Sequence, residues 1–410
     1  MYLLTGIYLT LIFISMYFLF LFSLLFFRNR KEMFNDKKST DFFPRISIVM
    51  PAYNEGKNIG RTLRKIRELE YPKDKLEVIV VDDGSTDRTS EIVKKFKEVR
   101  IIRHEKNSGY AAIPINTGID AAKNEIVAIM NADSYPEKEA LLYMVPYFKD
   151  KKTGAVTGAY LAKDPKTFLQ KLQNFEYRII AWNRKLLHFL NAVYVTPGPL
   201  SLYRKSVLLE VGKFDEKNLT EDIEIAWRIL KYNYSVKMCL SAITYVETPD
   251  TLRKWWKQRT RWNIGGMQTL GKYKRFMFSR KYDMFGVFVI PLFLSFMIIS
   301  VFGFSVISYI FTSKGLFLES TIIKHIATSS KIFPGELNIL LPEMFVFFGL
   351  LMLIIGIALF YIAIKDFNKY SKYTKIASIS GAAYNLVYHI LFPLVFLHSI
   401  IRLVKKDRRW

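Results

Sequence analysis

Five short clusters of chemically capable residues follow one another along this chain. They are Pro51-Ala52-Tyr53-Asn54-Glu55, Val81-Asp82-Asp83-Gly84-Ser85, Asn131-Ala132-Asp133, Thr220-Glu221-Asp222 and Gln258-Arg259-Thr260-Arg261-Trp262. Each of the first three directly follows a short apolar run that reads as a strand. Carboxylates at the carboxyl ends of strands are where open α/β sheets bind ligands. An Asp82 or Asp83 side chain there can accept from a base imino group or from ribose hydroxyls, although Asp-Gly is also a common turn. Glu221 and Asp222 stand where a helix dipole favours acids whatever their use. The Gln-Arg-Thr-Arg-Trp run, standing alone, reads as a basic membrane-surface helix.

The elements that must position these clusters alternate β and α patterns over residues 45–250. That alternation signals βα units and a mostly parallel sheet. Strands are expected at Ile46–Met50, Leu76–Val81, Val99–Arg103 and Ile126–Met130. Ile59, Leu63, Ile66 and Leu69 repeat at helical spacing, and Asp87–Phe96 reads as an amphipathic helix with Ile92, Val93 and Phe96 inward. A second half begins near Gly154, with a helix over about residues 167–190 and a break at Pro197-Gly198-Pro199. Thr220 is placed to cap a helix running from Glu221 to about Lys231. Residues 251–275 mix Trp255, Trp256 and Trp262 with basic side chains, the profile of an in-plane interfacial helix.

Composition adds a membrane. Residues 2–27 carry no charge and run into Arg28-Asn29-Arg30-Lys31. The run is long enough to span a bilayer and lacks a cleavage site. Its basic flank places the residues that follow it in the cytoplasm. Residues 28–44 read as a polar linker. Three more uncharged segments, Met284–Ser313, Met344–Ile364 and Ile376–Ile401, are long enough to span. Four spans that start outside also end outside, yet Arg402–Arg409 is basic and should prefer the cytoplasm. One segment is therefore open to an interfacial or re-entrant reading. The 60 Lys and Arg against 36 Asp and Glu fit a basic face against anionic lipid or attraction of diphosphates. No basic cluster sits on a nucleic-acid module, so nucleic acid is not an expected partner. The lone Cys239 excludes an intrachain disulfide framework and any multi-Cys metal site. Asn385, His389 and His398 in the last apolar segment read as interhelical hydrogen-bonding groups.

The order and flanks of the five clusters resemble family 2 glycosyltransferases. The likeness is to the membrane-embedded, processive polysaccharide synthases that make poly-N-acetylglucosamine, hyaluronan, chitin and cellulose and end in Gln-x-x-Arg-Trp. The resemblance covers about residues 45–270. It implies a nucleotide-diphospho-sugar transferase (GT-A) fold with a mixed, mostly parallel sheet at 45–250, interfacial helices at 251–280, transmembrane helices at 1–27 and within 281–404, and a basic tail at 405–410. It implies a UDP-sugar donor held by Ala52, Tyr53, Glu55, Asp82, Asp83, Asn131, Gln258 and Arg261, with Tyr53 stacked on the base. Asp133 becomes the ligand of Mg²⁺ or Mn²⁺, a hard cation suited to one carboxylate plus phosphate oxygens and water. Asp222, with Glu221, becomes the base that deprotonates an acceptor hydroxyl, and Trp262 the platform under the acceptor sugar. The acceptor is a growing polysaccharide, or a lipid-linked one in a non-processive enzyme.

Two departures stand out. Asn131 occupies the first position of the family's Asp-x-Asp pattern, and Tyr110 stands where family members commonly have Lys. Both remove a charge near the donor. They leave open a catalytically impaired sugar-nucleotide-binding subunit.

Overall fold

The computed structural model describes residues 2–303, 305, 312, 343–370 and 378–405. Apolar runs form an eight-stranded sheet. Its strands are β1 (Ile46–Ala52), β2 (Leu76–Asp82), β3 (Val99–Arg103), β4 (Ile126–Ile129), β5 (Ser134–Pro136), β6 (Thr153–Ala162), β7 (Ser201–Arg204) and β8 (Ser235–Val246). Their order is β3-β2-β1-β4-β7-β6-β8-β5. β1 to β4 run parallel. β7 is antiparallel to β4 and β6, β8 is parallel to β6, and β5 is antiparallel to β8. The sheet is therefore mixed and mostly parallel, as expected. β1 reaches two residues past the expected end at Met50, which sets Ala52 directly beside Asp82.

Helices cover both faces of the sheet. They are α2 (Ile59–Arg67), α3 (Thr89–Val93), α4 (Ala112–Ala121), α5 (Ala140–Met144), α6 (Phe168–His188), α7 (Lys205–Glu210), α8 (Glu221–Lys231) and α9 (Leu252–Tyr273), numbered after an amino-terminal α1 (Tyr2–Asn29). α3 is half the expected length. The Asp87 carboxylate accepts from the Thr89 and Gly56 backbone N–H groups, so the helix begins only at Thr89, with Thr89, Ser90 and Val93 buried. α6 starts where expected: Thr167 and Gln170 cap it reciprocally, satisfying two of the orphan donors of a helix start.

Three further helices are α10 (Ile290–Ile298, flanked by π-helical turns), α11 (Glu343–Tyr370) and α12 (Ser378–Val404). Leu9–Asn29 and Phe285–Phe302 are long and apolar enough to cross a membrane by length and composition. The expected segments at 344–364 and 376–401 fall in α11 and α12, apart from residues 376 and 377. Most of 304–313, and with it the count of spans, lies outside the described residues, as do the side chains of Asn385 and His389.

Residues 28–44 are not a free linker. Asp36 is buried and accepts from Lys185 Nζ (2.7 Å), the Tyr147 hydroxyl (2.6 Å) and the Ser241 backbone N–H (2.9 Å). Burial works to raise its pKa, but Lys185 and these donors hold it below the usual carboxylate value. Just before it, Phe26 is fully buried with its ring 5.3 Å from that of Trp182 on α6. The apolar amino-terminal helix is thus keyed into the core of the sheet domain.

The tryptophans of α9 correct a second expectation. Trp255 is fully buried against Leu172 of α6 and Val395 of α12. Trp256 Nε1 donates to His398 Nδ1 at 3.0 Å. Their apolar rings find neighbouring helices rather than lipid, and His398 makes the interhelical bond its position suggests.

Candidate active site

The sheet edge at the ends of β1 and β2 gathers the first two clusters. Tyr53 leaves it half-exposed. Asn54 turns the chain at a φ of 56°, a left-handed conformation that Asn tolerates. Its N–H donates to Ser85 Oγ and its side-chain oxygen accepts from the Thr86 N–H, each at 2.9 Å. The two loops are therefore stitched together. Asp82 has no exposed surface; its oxygens accept from the Ser85 N–H at 2.9 Å and from the Ser90 hydroxyl. Asp83 is also buried. It meets His104 Nδ1 at 2.7 Å, and its other oxygen accepts from Ser108 N–H (3.0 Å) and Oγ (2.7 Å). Both acids spend their oxygens on the protein and shape the loop edge that Tyr53 overhangs.

Asp133 and Glu55 form an acidic pair nearby. Burial and the Glu55 charge push the Asp133 carboxyl up to about 6. Burial also raises Glu55, against a 2.9 Å hydrogen bond from Asn58 Nδ2. Two crowded, poorly solvated carboxyls favour a cation. Among the described residues no three His, Cys, Asp or Glu side chains converge. The chemistry of these carboxylate oxygens fits a hard divalent cation such as Mg²⁺ or Mn²⁺. Asn131 lies against Gly198 of the Pro-Gly-Pro break. Its N–H donates to the Gly198 carbonyl at 2.9 Å, and a Cβ on Gly198 would sit 2.6 Å from its Oδ1. A Cβ there would make the end of the Asn131 side chain move.

The last two clusters meet across α8 and α9. Arg261 Nη1 donates to the Leu219 carbonyl at 3.2 Å, at the start of α8. Its guanidinium is the principal positive influence on both acids there. Burial and repulsion by Asp222 nevertheless push Glu221 up to about 7, with Arg261 opposing. Burial also raises Asp222, again against Arg261. Thr220 occupies the cap position without making the expected cap bond. Gly265 of α9 presses on it so closely that a Cβ would lie 2.3 Å from Thr220 Oγ1. Asp222 Oδ1 accepts from the Ile223 N–H instead, at 2.9 Å. Gln258 Oε1 is buried without a hydrogen-bond partner among the described residues. Trp262 packs beside Tyr160, Tyr177 and Val246, with the Arg259 guanidinium 4.2 Å from its ring centre. Arg259 is itself buried and donates to Glu176 of α6 at 2.6 Å. The motif is thus a wall: Arg261 toward the acids, Trp262 toward the tyrosines, Arg259 tying both to α6.

Sequence patterns do not single out Arg184. It lies on α6, almost fully buried, 5.0 Å above the Tyr160 ring and close enough to Asp222 and Tyr194 to feel their charge. No sequence signal marks it, since Arg178 and Lys185 are cations on the same helix.

Comparison with known proteins follows this geometry. The family model "Glycosyl transferase family 2" matches residues 47–212. The "Probable glycosyltransferase YdaM" of Bacillus subtilis (strain 168) is 34% identical over 256 residues, 60% of this chain and 61% of that protein. The "Poly-beta-1,6-N-acetyl-D-glucosamine synthase" of Staphylococcus epidermidis is 35% identical over 230 residues, 55% of each chain. Its namesake from Staphylococcus aureus (strain COL) is 32% identical over 297 residues, 68% of this chain and 70% of that one. The chain thus spans little more than half the length of the first two relatives. Among solved structures, the mannosyltransferase PcManGT from Pyrobaculum calidifontis, in complex with GDP-Man and Mn²⁺, superposes with a TM-score of 0.60 at 19% identity, covering 99% of this chain and 100% of that one. That likeness concerns the fold.

Proposed function

We infer the reaction from one premise: the chain belongs to glycosyl transferase family 2, and it is a glycosyltransferase. We propose an inverting enzyme that moves a sugar of the N-acetylglucosamine or glucose type from a UDP-sugar to a growing polysaccharide. The observation that carries this reading is the meeting of Glu221 and Asp222 with Arg261 at the α8–α9 contact. Two carboxyls beside a guanidinium support a base next to a phosphate-binding cation. The activity for which the staphylococcal relatives are named supports the sugar and the polymer.

In this reading Tyr53 stacks on the base, and the loop edge built by Ala52, Asp82 and Asp83 receives the nucleoside. Asp222 removes the proton from the acceptor hydroxyl. The acceptor oxygen then forms its bond to the anomeric carbon as the bond to the UDP oxygen breaks on the opposite face. Arg261 suits the departing diphosphate because its planar fork pairs with phosphate oxygens bidentately, and Gln258 lies beside it. Trp262 flanks the acceptor sugar. Asp133, with Glu55 and Asn131 near it, would hold Mg²⁺ or Mn²⁺, which when bound neutralises charge on the leaving diphosphate. Holding two substrates in one geometry supplies much of the remaining acceleration.

We place the enzyme in the cell membrane, spanning it through α1 and the carboxy-terminal helices. The sheet domain lies on the cytoplasmic side, by the basic flank of α1. A second reading keeps the donor and the chemistry but takes a lipid-linked acceptor in a single transfer. The burial of Arg184 beside Asp222 favours it. Membranes incubated with individual labelled UDP-sugars, followed by sizing of the product, test the proposal. A polymer supports the first reading, one sugar on a lipid supports the second, and no incorporation from any UDP-sugar refutes both.

A further inference from the structure

Arg184 is the least satisfied charged group among the described residues. Its Nε, Nη1 and Nη2 all lack a hydrogen-bond partner there, and its relative exposure is 2%. A guanidinium carries five N–H donors and no acceptor. Removing such a group from water without a partner is strongly unfavourable. Other buried cations on the same helix are served: Lys185 reaches Asp36, Tyr147 and the Met238 carbonyl. Arg184 has instead the face of the Tyr160 ring at 5.0 Å.

Its surroundings say which substrate would reach it. Tyr160 stacks edge-on against Tyr177 at 4.6 Å, and both share a cluster with Trp262. That is the side of the site assigned above to the acceptor. Asp222, assigned to the acceptor proton, lies near enough to act on Arg184. The helix that carries Arg184 also packs against the apolar helices α1, α11 and α12.

We propose that Arg184 binds a phosphate oxygen of the acceptor, so that the acceptor is an anionic, lipid-borne molecule. The inference rests on the second reading above, the lipid-linked acceptor, and adds a phosphate to it. A phosphate supplies several acceptor oxygens to a planar fork and cancels its charge in a poorly solvated site. A neutral sugar hydroxyl cancels none.

The test uses the full chain in nanodiscs and reads binding by calorimetry. Farnesyl phosphate and farnesol, matched in their apolar part, are titrated in the presence of saturating UDP and Mn²⁺. UDP with Mn²⁺ is titrated separately. Wild type should bind farnesyl phosphate at least about 10-fold more tightly than farnesol, the scale of a charge-assisted pair. Arg184→Gln should erase that preference and leave UDP affinity within about twofold. Equal binding of the two lipids by wild type overturns the proposal. So does a parallel loss of UDP affinity in the variant, which would assign the guanidinium to the donor diphosphate. Failure of wild type to bind UDP strikes the donor assignment instead, and the lipid pair can still be compared without it. Arg184→Met gives an independent readout. Replacing an unpaired buried charge by an apolar chain of similar length should leave the melting temperature unchanged or raise it. A large fall in melting temperature would make Arg184 a structural residue and sink the proposal.

Discussion

At the scale of the residue, the chemistry turns on carboxyl groups whose environments differ. Asp82 and Asp83 are consumed by local donors, whereas Glu221, Asp222, Asp133 and Glu55 are crowded and poorly solvated. Glu221 carries a testable sign. Its folded carboxyl is pushed up to about 7 from an ordinary 4.5. The stability tied to the protonated form is therefore fully present below about pH 4.5 and lost as pH rises through 7. Glu221→Gln should melt higher than wild type at pH 8, and the difference should close as pH falls to 4. Thermal denaturation at both pH values checks this; an unchanged difference would contradict it. Arg261→Ala and Trp262→Ala should differ in kind. The first removes a charge-assisted phosphate partner and should raise the KM for donor. The second removes an aromatic platform and should shorten the product or raise the KM for acceptor. Steady-state kinetics with each substrate varied separates them.

Much of the site was legible at this scale because acids and aromatics directly follow apolar runs. Tyr53 directly follows β1 and Asp133 comes just after β4, as that pattern expects, whereas Asp222 and Arg261 follow no apolar run. The fate of Asp82 and Asp83 was not legible. It depends on Ser90, His104 and Ser108, whose side chains are brought in by α3 and by the loop after β3. Arg184 escaped for a related reason. Its significance is a lack of partners, and absence of contact has no sequence signature.

At the scale of the element, the site depends on how closely α9 lies against the start of α8. Gly265 sets that distance, since a Cβ would meet Thr220 Oγ1 at 2.3 Å and its backbone N at 2.7 Å. A backbone atom cannot swing aside as a flexible side-chain end can. Gly265→Val should push the helices apart and move Arg261 off Glu221 and Asp222. Overpacking of this kind costs roughly 1–3 kcal/mol of stability, and activity should fall by more than stability alone explains. Circular dichroism melts beside transfer rates per folded molecule would show it. The helices that begin at Phe168, Glu221 and Leu252 were legible from periodicity and composition, although the cap bond expected of Thr220 is not made. The burial of Trp255 was not, because Trp among basic residues reads as an interface signal until α6 and α12 are in place around it.

At the scale of the whole molecule, the sheet domain and the apolar helices are one connected body through Phe26, Asp36, Trp255 and His398. The composition foretold both parts but not how tightly residues 28–44 join them, since Asp36 acquires its partners from α6, from Ser241 and from Tyr147. Metal dependence belongs to this scale, because Asp133 alone cannot hold the ion without the donor. EDTA should abolish transfer, and Mg²⁺ or Mn²⁺ should restore it, while the melting temperature of the substrate-free protein stays unchanged. A fall in that melting temperature on chelation would point to a structural ion instead. The central claim is that Asp222 removes the acceptor proton in a transfer from a UDP-sugar. The most direct measurement is transfer from labelled UDP-N-acetylglucosamine by wild type and Asp222→Asn, with UDP affinity measured in parallel. Loss of a positioned base costs roughly 10²–10⁴-fold. The account predicts a loss of that size with UDP affinity retained. Near wild-type turnover by Asp222→Asn would contradict it.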